Sequence, residues 1–285
     1  MITLDANPGL EGLATYYPGL VYSHAAGQTL TMDLMIPNCP ETDADRRFPL
    51  ILFVQGSGWT DNSPFIGAQI PQLSMFAQQG YVIASVRHRS RRDGFAAPAF
   101  LQDCKSALRF LRTNAAAYHI DPDHVCAWGT SSGGNTVLLM GLTGDDPAYR
   151  TDEYPDASDA VQAVIDCFGP TDLPELIATL NFDETAETFC NEMFGGSLET
   201  HLELAKAMSP YYQVKDGVTY PPFLIGHGTA DELVPYAQSK KMIARLEEAQ
   251  CDVTAIAVEG APHEGSFWSQ EFYAYCSAFL MEHGF

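Results

Sequence analysis

Two adjacent serines, Ser131 and Ser132, lie between glycines in the stretch GTSSGG. This stretch lacks the lysine that follows the glycines of a phosphate-binding P-loop, and it lacks the G-x-G-x-x-G spacing of dinucleotide-binding loops. The spacing Gly129-x-Ser131-x-Gly133 fits a sharp turn that presents a serine hydroxyl as a nucleophile. A strand-like run, HVCAW, precedes the turn and a helix-like run, NTVLLMGLTG, follows it, as such a turn requires. Ser131 is therefore the predicted nucleophile, and a plain small-residue junction is the alternative.

A serine hydroxyl attacks a carbonyl only when a base takes its proton and a carboxylate orients that base. His263, in EGAPHEGSF, follows the last predicted strand and is the predicted base. Asp231, in HGTADELVP, follows the preceding strand and is the predicted acid. Glu232 beside it and Asp172 in FGPTDL are rival acids, and the alternative role of Asp172 is to cap a helix.

A second loop could stabilise the negative charge that forms on the attacked carbonyl oxygen. The run FVQGSGW ends another apolar strand, and the backbone N–H groups of Ser57 and Gly58 are predicted oxyanion donors together with that of Ser132. Trp59 and Gln55 are predicted to contact the substrate. The alternatives are core packing for Trp59 and support of the loop for Gln55.

The other histidines are expected to be structural. Among them His227 lies inside the strand-like run LIGHG, which indicates either burial in the strand or support for a neighbouring site residue.

These loops need a scaffold that brings them to one edge. Seven apolar, β-rich runs predict strands at residues 28–37, 48–56, 80–89, 124–129, 161–169, 221–228 and 252–260. Four of them are almost continuously apolar and end in glycine, as is typical of strands buried on both faces of a parallel sheet. Helical patterns predict helices around residues 100–111, 236–249 and 270–282. Alternating strands and helices predict an α/β fold with helices on both faces of a mostly parallel central sheet.

We expect residues 1–285 to form one domain with a small helical lid inserted at about 173–212. The lid region is rich in aromatic, Met and acidic residues, and Phe182, Phe189, Met193 and Phe194 are candidates either for lining a pocket or for packing in the helical core. The first twenty residues are expected to fold over the body of the domain.

The acidic composition excludes some classes of binding partner. The formal net charge of −21 repels nucleic-acid phosphates and anionic lipid head groups, so neither nucleic acid nor membrane is an expected partner. The N-terminal stretch has no secretory pattern, and the seven scattered cysteines suggest neither a zinc site nor a disulfide framework. We therefore expect a cytoplasmic protein that uses no metal and no cofactor.

The runs QGSGW, YVIASVRHRS, AWGTSSGG, VIDCFGPTDL, HGTADELVPYAQS and APHEGSF together resemble the α/β-hydrolases of the hormone-sensitive-lipase-like and feruloyl and acetyl (xylan) esterase groups. The resemblance covers about residues 28–285. It implies the α/β-hydrolase fold, with Ser131, Asp231 and His263 as nucleophile, acid and base. Gln55 and Ser57 depart from the His-Gly-Gly loop of relatives, and Thr130 stands where relatives often have an acidic residue.

The resemblance implies a serine carboxylesterase that acts through an acyl-serine intermediate on short-chain or aromatic acyl esters. Acetyl or feruloyl groups on xylo-oligosaccharides are the expected substrates, and association into a homo-oligomer is left open. An amidase, a peptidase or a kynurenine-formamidase-like hydrolase is the alternative within enzymes. A non-catalytic binding protein on a hydrolase scaffold is the alternative outside them.

Overall fold

A single eight-stranded sheet forms the centre of the molecule in the computed structural model, which describes residues 1–179 and 185–285. The strands are β1 Ala14–Ser23, β2 Leu30–Pro37, β3 Phe48–Val54, β4 Val82–Val86, β5 Ile120–Thr130, β6 Ala163–Cys167, β7 Phe223–Gly228 and β8 Val253–Val258. Their order across the sheet is β1-β2-β4-β3-β5-β6-β7-β8. β2 pairs antiparallel with β1 and with β4, and all other neighbours pair in parallel. The parallel strands therefore present the loops after β3, β5, β7 and β8 at one edge.

Helices cover both faces of this sheet. The α-helices of the described residues are α1 Ser63–Gln78, α2 Ala99–Thr113, α3 Ser132–Thr143, α4 Leu173–Ala178, α5 Ala186–Phe194, α6 Leu202–Ala207, α7 Pro210–Gln213, α8 Ala237–Glu248 and α9 Gln270–Glu282. The helices α2, α3 and α8 contribute to the apolar core on one face, and α1 and α9 contribute to the core on the other. No helix in the described part of the chain has both the length and the apolar character needed to cross a membrane.

The central strands are buried on both faces, as their continuous apolar sequences predict. In β3 the residues from Leu50 to Val54 are all buried, and alternate side chains enter opposite cores. Burial of apolar surface on both faces is the main stabilising contribution to such a sheet. All seven predicted strands are present, and the predicted α/β class is confirmed.

The structure differs from the sequence interpretation at the N-terminus. The first twenty residues were expected to fold over the body, but the segment from Ala14 onward forms β1 at the edge of the sheet. Pro18 and Gly19 have no paired residue in β2, and the pairing register shifts between Tyr17 and Leu20. Because this edge strand is largely exposed and irregular, it lacks the apolar alternation that marks a strand in a sequence.

The helix α1 was not predicted either. It spans Ser63–Gln78, contains Pro71, and buries five of its 16 residues. A proline inside a helix removes a backbone donor and weakens the helical pattern.

In the region expected to be a lid, the described residues form the four short helices α4 to α7, over the carboxyl edge of the sheet. Phe189, Met193 and Phe194 of α5 are all buried and belong to the same apolar cluster as α2 and α3. Phe182 lies outside the described residues.

A carboxyl group is buried at the end of β6. Asp166 is fully buried, its Oδ1 accepts the N–H of Gly169 at 3.0 Å, and its Oδ2 has no hydrogen-bond partner among the described residues. Burial raises the pKa of Asp166 to about 8, against the weaker opposing effect of the Gly169 hydrogen bond. The folded protein therefore holds a proton on this carboxyl at pH values where the unfolded chain has lost it.

Relative to wild type, we expect Asp166→Asn to be progressively more stable as the pH rises from about 4 to about 8, and to differ little at or below about pH 4. The wild-type folded state keeps the Asp166 proton up to about pH 8, whereas an unfolded Asp loses its proton near pH 4, so wild-type stability falls as pH rises between these values. The free energy of unfolding of wild type should fall by about 1.4 kcal/mol per pH unit relative to the variant over this window. Urea unfolding of both proteins at several pH values measures this difference. A difference that is the same at about pH 5 and pH 8 would contradict the assignment.

Candidate active site

Ser131 lies in the tight turn between β5 and α3. Its backbone has φ 53° and ψ −124°, an uncommon conformation that turns the chain abruptly. A Cβ on Gly129 would lie 2.2 Å from the backbone oxygen of Gly133, and a Cβ on Gly133 would lie 1.9 Å from the backbone oxygen of Val54. Both glycines of the motif are therefore required by close backbone contacts.

Three loops place a hydroxyl, an imidazole and a carboxylate in a chain of hydrogen bonds. The His263 Nε2 lies 3.0 Å from Ser131 Oγ, and the His263 Nδ1 lies 2.7 Å from Asp231 Oδ2. The Asp231 carboxylate is fully buried, and one tenth of the His263 side chain is exposed. Because a carboxylate only accepts, His263 Nδ1 carries the proton and Nε2 is free to accept one from Ser131. The three residues predicted from the sequence thus lie in contact, in the geometry of a serine nucleophile with its base.

The two rival acids lie elsewhere. Glu232 is exposed and makes no hydrogen bond among the described residues. Asp172 caps α4 by accepting the N–H of Glu175 at 3.1 Å, and it also forms an ion pair with Lys241. Its capping role is the alternative that the sequence left open.

A second histidine also contacts the acid. His227 is buried, and its Nε2 lies 3.1 Å from Asp231 Oδ2 and 2.9 Å from the carbonyl oxygen of Val234. A carbonyl only accepts, so Nε2 is the protonated nitrogen, and Nδ1 faces the Ser239 hydroxyl at 2.6 Å. His227 therefore supports the carboxylate, which is one of the two roles expected from its position in the strand.

These contacts keep the acid ionised. Burial alone would raise the pKa of Asp231, but hydrogen bonds from His227 and His263, with a smaller effect from the Val234 N–H, hold that pKa well below its usual range. The other carboxylate oxygen, Oδ1, accepts the N–H groups of Leu233 and Val234 at 2.9 Å each. With both oxygens occupied, the carboxylate has a fixed orientation toward His263.

The loop after β3 packs against the turn that holds Ser131. The Gly56 N–H and the Gln55 Nε2 both donate to Thr130 Oγ1, at 2.9 and 3.2 Å. The Gln55 side chain is thus buried behind the loop, and Gln55 does not line the cavity in front of Ser131. Of the two roles expected for Gln55, the structure shows support of the loop and no position for contact with a substrate in that cavity.

The three predicted oxyanion donors differ in their hydrogen bonding. Among the described residues, the backbone N–H groups of Gly58 and Ser132 have no acceptor. The Ser57 N–H, in contrast, donates to Ser132 Oγ at 2.9 Å. Two backbone donors beside Ser131 are therefore open, and the third is already engaged.

A cavity of about 580 Å³ opens in front of Ser131. Its wall is mainly apolar, formed by Trp59, Phe65, Pro170, Leu176, Phe189, Leu233 and Val234. Trp59 is almost fully buried and packs against Phe100 and Phe189, so it both lines the cavity, as predicted, and packs in the core. Of the lid residues expected to line a pocket, Phe189 does so, whereas Met193 and Phe194 are buried in the core and do not.

Arg91 connects the lid to the loop after β3 and was missed in the sequence. Its Nε donates to the carbonyl oxygen of Gly58 at 2.8 Å, its guanidinium lies 4.8 Å from the centre of the Phe189 ring, and it forms an ion pair with Glu192 of α5. The three contacts join segments that are far apart in the chain. The one signal in the sequence was the run RHRSRR, which indicates a cluster of positive charge but not its contacts.

The described residues contain no group of three His, Cys, Asp or Glu side chains that could hold a metal ion.

The chain is similar in sequence to one protein family and to two curated esterases. The BD-FAE family model matches residues 32–246. Esterase LipQ of Mycobacterium tuberculosis is 32% identical, over 74% of this chain and 48% of LipQ, and LipC of the same organism is 30% identical, over 75% of this chain and 52% of LipC. The chain thus spans about half the length of these relatives.

Two solved structures match nearly the whole chain. A truncated carbohydrate esterase from gut microbiota has a TM-score of 0.78 and 26% identity, with 98% of this chain and 99% of that chain covered. The thermophilic esterase Est2 of Thermogutta terrifontis has a TM-score of 0.76 and 27% identity, with 98% and 94% covered, and its structure is also known with propionate and with butyrate bound. This likeness shows that the fold is that of the α/β-hydrolase esterases.

Proposed function

The chain belongs to the BD-FAE family, and from the geometry of its site we propose that it is a serine carboxylesterase. One observation carries the proposal: the hydrogen-bond chain from Ser131 Oγ to His263 Nε2 and from His263 Nδ1 to Asp231 Oδ2. The esterases among its relatives support the same reaction.

The reaction begins with attack of Ser131 Oγ on the ester carbonyl carbon while His263 Nε2 takes the hydroxyl proton. The carbonyl oxygen becomes an oxyanion, and the open N–H groups of Gly58 and Ser132 stabilise it. His263 then gives its proton to the leaving alcohol as the carbon–oxygen bond breaks, which leaves an acyl group on Ser131. Water, deprotonated by the same imidazole, releases the acid and restores the serine.

Asp231 orients the imidazole through the whole cycle and stabilises its positive charge after the proton transfer. The carboxylate suits this role because its pKa is held well below the usual range.

We further propose that the substrates are short-chain acyl esters, with acetyl or feruloyl groups on carbohydrates as the class to examine first. The cavity of about 580 Å³ has the size of a small-molecule site, and its apolar wall suits an acyl group. Two structurally similar enzymes support this class. The gut enzyme is a carbohydrate esterase, and the Thermogutta esterase binds propionate and butyrate.

A substrate panel tests this proposal. We expect p-nitrophenyl acetate and butyrate to be hydrolysed with kcat/KM at least about tenfold above that of the octanoate, because the Thermogutta esterase, which shares this fold, binds the short-chain acids propionate and butyrate. Methyl ferulate and acetylated xylo-oligosaccharides identify the natural acyl group, and matched anilides report amide cleavage.

A fluorophosphonate probe followed by peptide mass spectrometry should label Ser131 alone. Two results would contradict the proposal: anilides cleaved as fast as the matched esters, or no label on Ser131 in the folded protein.

A further inference from the structure

The hydroxyl of Ser132, the residue after the nucleophile, contacts the loop after β3 beside the cavity. Ser132 Oγ accepts the backbone N–H of Ser57 at 2.9 Å, and Ser132 lines the cavity together with Ser131. A hydroxyl has one proton to donate and lone pairs to accept with. Here the oxygen accepts one hydrogen bond, but the hydroxyl proton has no acceptor among the described residues.

The residue before the nucleophile provides a comparison. Thr130 Oγ1 accepts the N–H of Gly56, the neighbour of Ser57, also at 2.9 Å. The hydroxyls on either side of Ser131 therefore bind successive N–H groups of the same loop. Thr130 is fully buried and does not line the cavity, whereas Ser132 does. Only the Ser132 hydroxyl can serve the loop and the substrate together.

We propose that the Ser132 hydroxyl is a catalytic hydrogen-bond donor to the oxyanion. The inference rests on the proposed esterase function and adds a third donor to the N–H groups of Gly58 and Ser132. The Ser57 N–H contributes through the hydroxyl, because it donates to Oγ while Oγ–H donates to the oxyanion.

The two linked hydrogen bonds, from the Ser57 N–H to Ser132 Oγ and from Ser132 Oγ–H to the oxyanion, stabilise the transition state more than the bound ester. A hydroxyl that accepts a hydrogen bond becomes a stronger donor, since successive bonds polarise each other. Its bond to a neutral ester carbonyl is modest, and it strengthens when that oxygen becomes negative. No bond to Ser132 forms or breaks, and its proton stays on Oγ. The group therefore lowers the barrier and has little effect on substrate binding.

An alternative role for the Ser132 hydroxyl, competition with the substrate, predicts the opposite change in kcat. If the oxyanion used the Ser57 N–H directly, Ser132 Oγ would have to leave that N–H on every turnover. The hydroxyl would then compete with the substrate, and its removal would increase the rate. The sign of the change in kcat separates the two roles.

The test measures Ser132→Ala and Ser132→Gly in the full chain. With p-nitrophenyl acetate we expect kcat to fall by about 10- to 100-fold in both variants, while KM stays within about threefold. The inhibition constant of a short-chain trifluoromethyl ketone, which forms an oxyanion by adding Ser131 Oγ, should rise by the same factor as kcat falls. Thermal unfolding checks that both variants fold.

Ser85→Ala is the matched control. Ser85 is fully buried in β4, its hydroxyl has no partner among the described residues, and it does not line the cavity. We expect its kcat and ketone affinity to equal those of wild type.

Three results would overturn the inference. A kcat that rises or stays within about threefold of wild type shows that the hydroxyl does not stabilise the transition state. A fall in kcat without loss of ketone affinity shows that the Ser132 hydroxyl does not bind the oxyanion. If wild type hydrolyses no ester and Ser131 takes no fluorophosphonate label, the proposed function itself fails, a result that differs from the first two.

Discussion

Replacing Ser131 with alanine should lower kcat for p-nitrophenyl acetate by about 10⁶-fold, as in other enzymes that lose a triad serine. The hydroxyl is the only nucleophile that His263 Nε2 contacts within the described part of the chain, at 3.0 Å. Without it no acyl intermediate can form, and the residual rate comes from water attack on an ester held by Gly58 and Ser132. Stopped assays with high enzyme concentration, together with loss of the fluorophosphonate label, measure this effect.

Alanine keeps the Cβ of Ser131, so the strained backbone at φ 53° and its close contacts stay unchanged. The free energy of unfolding should therefore stay within about 1 kcal/mol of the wild-type value. Substantial turnover by Ser131→Ala, combined with complete loss in Ser132→Ala, would show that Ser132 and not Ser131 is the nucleophile.

Replacing Asp231 with asparagine should lower kcat by about 10⁴-fold. The carboxylate accepts the Nδ1 proton of His263 at 2.7 Å, which leaves Nε2 free to accept a proton from Ser131. An amide nitrogen in this position donates to Nδ1, so the proton moves to Nε2 and the base is lost. Because the pKa of Asp231 is held well below its usual range, the carboxylate of the wild-type enzyme stays ionised over about pH 5 to 8, and the loss should be large throughout this range.

Glu232→Gln is the matched control for this experiment. Glu232 is the adjacent residue and a carboxylate, but it is exposed and lies outside the hydrogen-bond chain. We expect wild-type kcat from Glu232→Gln, and a large loss there with little loss in Asp231→Asn would exchange the two assignments. The structure of Asp231→Asn should be preserved, because the amide oxygen can still accept the N–H groups of Leu233 and Val234.

The lid and the N-terminal region show where sequence interpretation reached its limit. Composition indicated that aromatic residues of the lid either line a pocket or pack in a core, and α5 does both: Phe189 contributes to the cavity, while Phe194 is buried away from it. Side chains on one short helix face different directions, and their surroundings depend on α2 and α3, which are distant in the chain. The edge strand β1 was missed for a related reason, since exposed residues carry no apolar pattern.

The sequence by itself determined the positions along the chain of β2 to β8, the turn at Ser131 and the loops that carry Asp231 and His263. It could do so because buried parallel strands are continuously apolar, and because their carboxyl ends must meet at one edge of the sheet. Glycines 129 and 133 marked the turn since only a residue without Cβ fits the contacts found there.

Only the tertiary structure decided which groups touch within that edge. The second histidine on Asp231, the anchoring of Gly58 by Arg91, and the bond between Ser57 and Ser132 join residues through loop conformations that the sequence does not encode locally. The last bond links residues 75 positions apart. A hydrogen bond forms or fails over less than an ångström, and that distance depends on how two strands and a helix pack together.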